Sequence, residues 1–163
     1  MTQHNSFFRE GQPAAVFKHK LLTDYLSLWT AKLGRLSPQG VTFLDGYAGA
    51  GQYEDGGHGS PLIAMRVARK FRSFQSPVDL QCIFVEKVPE TAERLRQVIA
   101  REGNGLNVVG PLLGDLSGNL EAVLNEAGTK PLLAFLDPFG TSLPADLLLD
   151  QLMKRTKGAH TEV

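Results

Sequence analysis

An α/β fold built on a doubly wound, mostly parallel sheet is predicted by three observations. Short apolar runs alternate with amphipathic segments along the chain, and the fourth run is apolar at almost every position, as strands covered on both faces are. Each run ends at glycines or an acid. Such alternation requires right-handed crossovers, with the helices returning over the sheet.

The elements follow in order. Residues 15–34 place Leu21, Leu22, Tyr25, Leu28 and Trp29 at helical spacing, with Gly34 as a stop. Pro38 and Gly40 turn the chain into the buried strand 41–45, VTFLD. A glycine-dense stretch, 46–59, leads to Ser60-Pro61, read as an N-cap followed by a first-turn proline. The helix from 61 to 74 should bury Ile63, Ala64, Val67 and Phe71 and carry Arg66, Arg69, Lys70 and Arg72 outward. Strand 80–87 and helix 89–102 repeat the pattern, with Ala92, Leu95, Val98 and Ile99 inward. A third strand lies within 106–115, where Gly110-Pro111 must bend or interrupt it, and a helix spans about 117–127. The fourth strand is 132–139 and the fourth helix about 144–154. Thr161-Glu162-Val163 begin another β-favourable stretch with no room to continue, so the sequence reads as truncated after the fourth β-α unit.

The chain's 163 residues, 42% hydrophobic and 21% charged, suit one compact domain and exclude a disordered chain or coiled coil. Lys plus Arg and Asp plus Glu both total 17, so any nucleic-acid contact has to come from a local patch. The basic helix surface is one such patch, although charge runs of this kind are usually solvated faces. No apolar run approaches the ~18–20 residues needed to span a bilayer, and the start lacks a secretory core. A cytoplasmic protein without membrane contact is expected. The lone Cys82 reads as a buried small hydrophobe, and His4, His19, His58 and His160 are too scattered to suggest a metal site.

In open parallel sheets ligands bind at the carboxyl ends of the strands. Asp45 closes the first strand, and Gly49 and Gly51 would let the backbone approach a ligand, unless the glycines are there only for a tight turn. From Gly49 the sequence runs Gly-Ala-Gly-Gln-Tyr-Glu, which fails the dinucleotide fingerprint at its third glycine, and no P-loop string is present. A nucleoside ligand without a pyrophosphate fits better. Glu86 could accept both hydroxyls of a ribose, or simply pair with Lys87 as a solvated strand-end acid. Asp115 could accept an adenine amino group, or cap the helix that follows. Asp137, followed by Pro138, could accept hydrogen bonds from a substrate amino group during methyl transfer, or mark a turn.

These strings together resemble the three-Cys-motif partner protein family, within the Rossmann-like class I methyltransferase fold. The resemblance rests on FKHKLLTDYLSLW, FLDGYAGAGQYEDGGHGSPLIA, FVEK and FLDPFG, in that order. The glycine loop and the Lys18-His19 pair are also similar to bacterial adenine-N6 methyltransferases acting on ribosomal RNA. The resemblance implies S-adenosyl-L-methionine as cofactor, with Lys18 and His19 facing its methionine end. Asp45, Tyr47, Gly49 and Gly51 would form the cofactor loop, Glu86 would hold the ribose and Asp115 would approach the adenine. Asp137 would orient the methyl acceptor, an RNA or DNA base, with Pro138 and Phe139 against it. A companion protein carrying the three cysteines is also implied. The chain departs from the Asp-Pro-Pro-Tyr of adenine-N6 enzymes, having Asp137-Pro138-Phe139-Gly140 instead. Gly140 cannot stack on a flipped base. A catalytically silent partner subunit that keeps the fold is therefore the alternative.

Overall fold

The computed structural model describes residues 13–138, 150–155 and 159–163. Its elements run α1 (Pro13–Gly34), β1 (Val41–Asp45), α2 (Ser60–Arg72), β2 (Leu80–Glu86), α3 (Pro89–Glu102), β3 (Val108–Leu113), α4 (Leu116–Ala127), β4 (Leu132–Phe135) and β5 (Thr161–Glu162). Residues 150–153 are also helical. The strands form one sheet in the order β3-β2-β1-β4-β5, and every pairing is parallel. The chain winds outward from β1 to β3, then crosses to β4 and β5 on the other side. The order thus reverses between β1 and β4, where neighbouring connections diverge and leave a crevice at the carboxyl ends.

Strand pleating sorts the core into two halves. Phe43, Cys82, Phe84 and Leu133 face α1, α2 and α3, while Leu44, Ile83, Val85, Leu132 and Ala134 face α4 and Leu152. All of β1 and β2 is buried, which is why their middles are apolar without alternation and their polar residues, Thr42, Asp45, Gln81 and Glu86, lie toward the strand ends. Burial also pushes the Cys82 thiol well above its ordinary pKa, so it packs as an inert hydrophobe. Among the described residues no helix is long and apolar enough to cross a membrane.

Several expectations change in detail. Among the described side chains of α1 the buried ones are Leu22, Leu26, Trp29 and Thr30, whereas Leu21, Tyr25 and Leu28 are 56%, 48% and 72% exposed. This helix is apolar around most of its circumference, so spacing alone does not select the face that packs. The N-cap of α2 is Gly59, and Ser60 is the first helical residue. Pro61 still occupies the first turn, where its missing N–H leaves no bond unmade. Strand β4 ends at Phe135 because its partner β1 ends opposite, at Asp45. Gly110-Pro111 lies inside a continuous β3, and the register with β2 shifts between Ile83 and Val85. Thr161 and Glu162 form a fifth strand beside β4, placing two strands beyond the reversal where the sequence reading has one. The fourth helix, as read over 144–154, falls largely outside the described residues, as does Phe139.

Candidate functional site

The turn after β1 is shaped by hydrogen bonds that begin at Asp45. The Tyr47 N–H donates to Asp45 Oδ1 over 3.2 Å, and the Ala48 N–H donates to the Val85 carbonyl over 3.0 Å. The Gly49 N–H then donates to Glu86 Oε2 over 2.8 Å, so the acid ending β2 clasps the loop leaving β1. Glu86 Oε1 accepts from the Val88 N–H at 2.8 Å, at the start of α3. Both of its oxygens are engaged by backbone, and each keeps a second lone pair.

The two loop glycines serve different ends. Gly49 has φ +66°, and a Cβ there would meet nothing within 4 Å among the described residues. Gly51 has φ +78°, and a Cβ there would lie 2.8 Å from Leu95 Cδ1. Gly51 thus answers to packing against α3, whereas Gly49 faces open space. Beyond it, Gln52 and His58 form an antiparallel bridge, and the Tyr53 N–H donates to the Gly57 carbonyl over 2.9 Å. This small hairpin carries Tyr53 toward α1.

A hollow lies at the reversal point, lined by Lys18 and His19 from α1, Tyr47, Gly49 and Tyr53 from the loop, and Phe135 and Asp137 after β4, among others. Lys18 Nζ lies 3.1 and 3.2 Å from the two Asp137 oxygens, closing one side of it. Both partners are partly exposed, so the pair orders two side chains more than it stabilises the fold. His19 Nε2 is 3.3 Å from the Tyr53 hydroxyl, and the two rings are stacked with centroids 5.7 Å apart. Burial lowers the His19 pKa against the opposing pull of Asp137, which favours the neutral imidazole. Burial likewise raises the phenols of Tyr47 and Tyr53.

Beneath the loop, Asp45 is fully buried, and among the described residues its Oδ2 has no partner at hydrogen-bonding geometry. Burial pushes its pKa up to about 7. The Ser60 hydroxyl and the Tyr47 N–H pull it down, while the negative charges of Asp137 and Glu86 push it further up. A carboxyl so placed is protonated just below neutrality and ionises when a cation or donor arrives.

The sequence-predicted residues therefore divide. Lys18, His19, Tyr47, Gly49, Gly51 and Asp137 line one hollow, and Glu86 holds its loop through the Gly49 amide. Asp115 stands apart as the N-cap of α4, its Oδ1 accepting from the Gly118 N–H over 2.8 Å, which is the capping alternative. Its charge still reaches Tyr47 and helps raise that phenol. Pro138 directly follows Asp137 outside any strand. Tyr53 was not singled out by the sequence reading. Its only signal was an aromatic residue within an otherwise polar, glycine-dense stretch.

The hollow measures about 70 Å³, small against the several hundred typical of ligand pockets. A groove of about 370 Å³ between α1 and β4–β5 shares Lys18, Phe135 and Asp137 with it. Any ligand of nucleoside size has to extend out of the hollow along the open rim. No protein-family model matches the chain, and no curated protein or solved structure matches it either.

Proposed function

We propose that this protein binds S-adenosyl-L-methionine at the carboxyl rim of its sheet and is methyltransferase-like, in the manner of the three-Cys-motif partner proteins it resembles. The observation that carries this reading is the hollow at the β1/β4 reversal, where the open Gly49 of the loop, the Lys18-His19 pair of α1 and Asp137 after β4 converge. The donor set suits the ligand. Gly49 leaves room for close backbone approach, and Lys18 and His19 suit a carboxylate.

S-adenosylmethionine would supply an electrophilic methyl group on a sulfonium. The chain's part is to hold and orient. Glu86 fixes the loop, leaving lone pairs for ribose hydroxyls, and Asp115 and Tyr47 stand on the same rim. Asp137 would accept a hydrogen bond from the acceptor's amino group, proposed to belong to an RNA or DNA base, and so raise its nucleophilicity. A second reading, a silent subunit serving a companion protein, is favoured by one observation: Lys18 already holds both Asp137 oxygens.

Titration calorimetry with S-adenosylmethionine and NADH tests the cofactor. Heat with the first and none with the second is expected, and binding of NADH alone would reject the proposal. Transfer of labelled methyl groups to total RNA and DNA then separates the two readings. For an enzyme, Asp137→Ala lowers transfer by ~100-fold or more. Cofactor binding without transfer favours the silent subunit.

A further inference from the structure

The stacked His19 and Tyr53 rings line two hollows at once. One is the glycine-loop hollow, and the other is a side hollow of about 310 Å³ formed with Lys20, Asp55, His58 and Ile63. The pair is thus the wall between them. Tyr53 is held in that wall from its own side, because its N–H bonds to the Gly57 carbonyl and its carbonyl accepts from the Gly56 N–H over 3.0 Å. His19 is anchored by its place in α1, where its carbonyl accepts from Thr23 Oγ1 over 2.8 Å. The rings are inclined by 26°. A neutral imidazole carries one N–H and one acceptor nitrogen, and which is which depends on the hydrogen bond made. A phenol O–H donates well to an sp² ring nitrogen, and Tyr53 is fully protonated at neutral pH.

We propose that Tyr53 is a positioning residue for His19: its hydroxyl donates to Nε2 and its ring backs the imidazole, leaving the single N–H at Nδ1 as a donor for a ligand carboxylate. The carboxylate-bearing ligand rests on the proposed function, but the Tyr53–His19 coupling does not. The charged and titratable groups around the imidazole are Lys18 on its own helix, Asp137 beyond β4 and His58 in the hairpin, with Lys20 and Asp55 at the side hollow. The tautomer therefore has to be read directly, since all of these also act on the ring's titration.

Nitrogen-15 NMR of the full chain's imidazoles, with His19→Gln to assign the His19 signals, provides the test. In the wild type, Nε2 should give the unprotonated signal. Tyr53→Phe keeps the ring and removes the donor, so the Nε2–H tautomer should gain population and the imidazole pKa should rise. Tyr53 is nearly half exposed, so this variant folds. S-adenosylmethionine affinity should fall by roughly 2- to 10-fold, the worth of one hydrogen bond. A wild-type ring already protonated at Nε2, or identical spectra in the two proteins, overturns the assignment. A tautomer shift in a protein that binds no S-adenosylmethionine upholds Tyr53's role and overturns the cofactor reading instead.

Discussion

The two ends of the sheet treat buried polar groups in opposite ways. At the amino ends of the strands, Gln81 Oε1 accepts from Thr42 Oγ1 over 2.9 Å and from Lys130 Nζ over 2.6 Å. Arg155 donates nearby to the Gly128 and Lys130 carbonyls, with only its Nε left without a partner. Here polar atoms tie β1, β2 and the entry to β4 together. At the carboxyl ends, Asp45 Oδ2 is buried without a partner, near the charges of Asp137 and Glu86. The same sheet thus uses polarity as a fastener at one rim and keeps it incomplete at the other. Incomplete burial costs stability.

Replacing the incomplete group should therefore strengthen the fold, and the pH dependence identifies the cause. The Asp45 carboxyl is raised from 3.8 to about 7 in the folded chain. Below the unfolded value it is protonated in both states and carries no ionisation penalty. Between the two values only the unfolded chain ionises, so stability falls as pH rises, and above about 7 the full penalty is present. Asp45→Asn should then gain up to ~4 kcal/mol at pH 8, from roughly 1.4 kcal/mol per pKa unit over the rise from 3.8 to about 7, and almost nothing near pH 3.5. Urea unfolding at both pH values is the measurement. A variant less stable than the parent at pH 8 would show that Asp45 is already satisfied.

The fastened rim should respond with the opposite sign. Gln81→Leu removes the shared acceptor and leaves the Thr42 hydroxyl, itself fully buried, without a partner. A loss of ~1–3 kcal/mol is expected at pH 7. If the two substitutions change stability in the same direction, the contrast between the rims is not real.

How much of this was legible varies with the kind of signal. Helix α3 begins and ends where proline and glycine place it, and β1 coincides with VTFLD, because backbone chemistry punctuates both. The face of α1 was not legible, since Leu21, Tyr25 and Leu28 are as apolar as the residues that pack. Strand-end positions made Asp45, Glu86 and Asp137 candidates, because parallel topology brings successive carboxyl ends to one rim. Asp115's cap was legible as one of two readings, since an acid just before a helix is a common N-cap, but only three-dimensional contact shows that Glu86 grips the Gly49 amide. Tyr53 escaped for the same reason. Its hairpin is closed by backbone bonds that leave little trace in residue type.

The glycine loop gives the smallest effect on stability and the sharpest division between fold and site. A methyl group at Gly49 enters open space, so Gly49→Ala pays only for its left-handed backbone, about 1 kcal/mol or a fall in Tm of roughly 2–4 °C. A methyl group at Gly51 also meets Leu95 and Val98 on α3, so Gly51→Ala should lose more stability. Ligand binding should rank them the other way. Gly49→Ala fills the hollow and should weaken S-adenosylmethionine at least ~10-fold, beyond what one hydrogen bond is worth. Gly51→Ala should leave affinity closer to that of the parent once its unfolded fraction is subtracted. Thermal melts and calorimetry on the two variants read both rankings. If affinity follows stability in the same order, the space beside Gly49 is not where the ligand lies, and the glycines serve the turn alone.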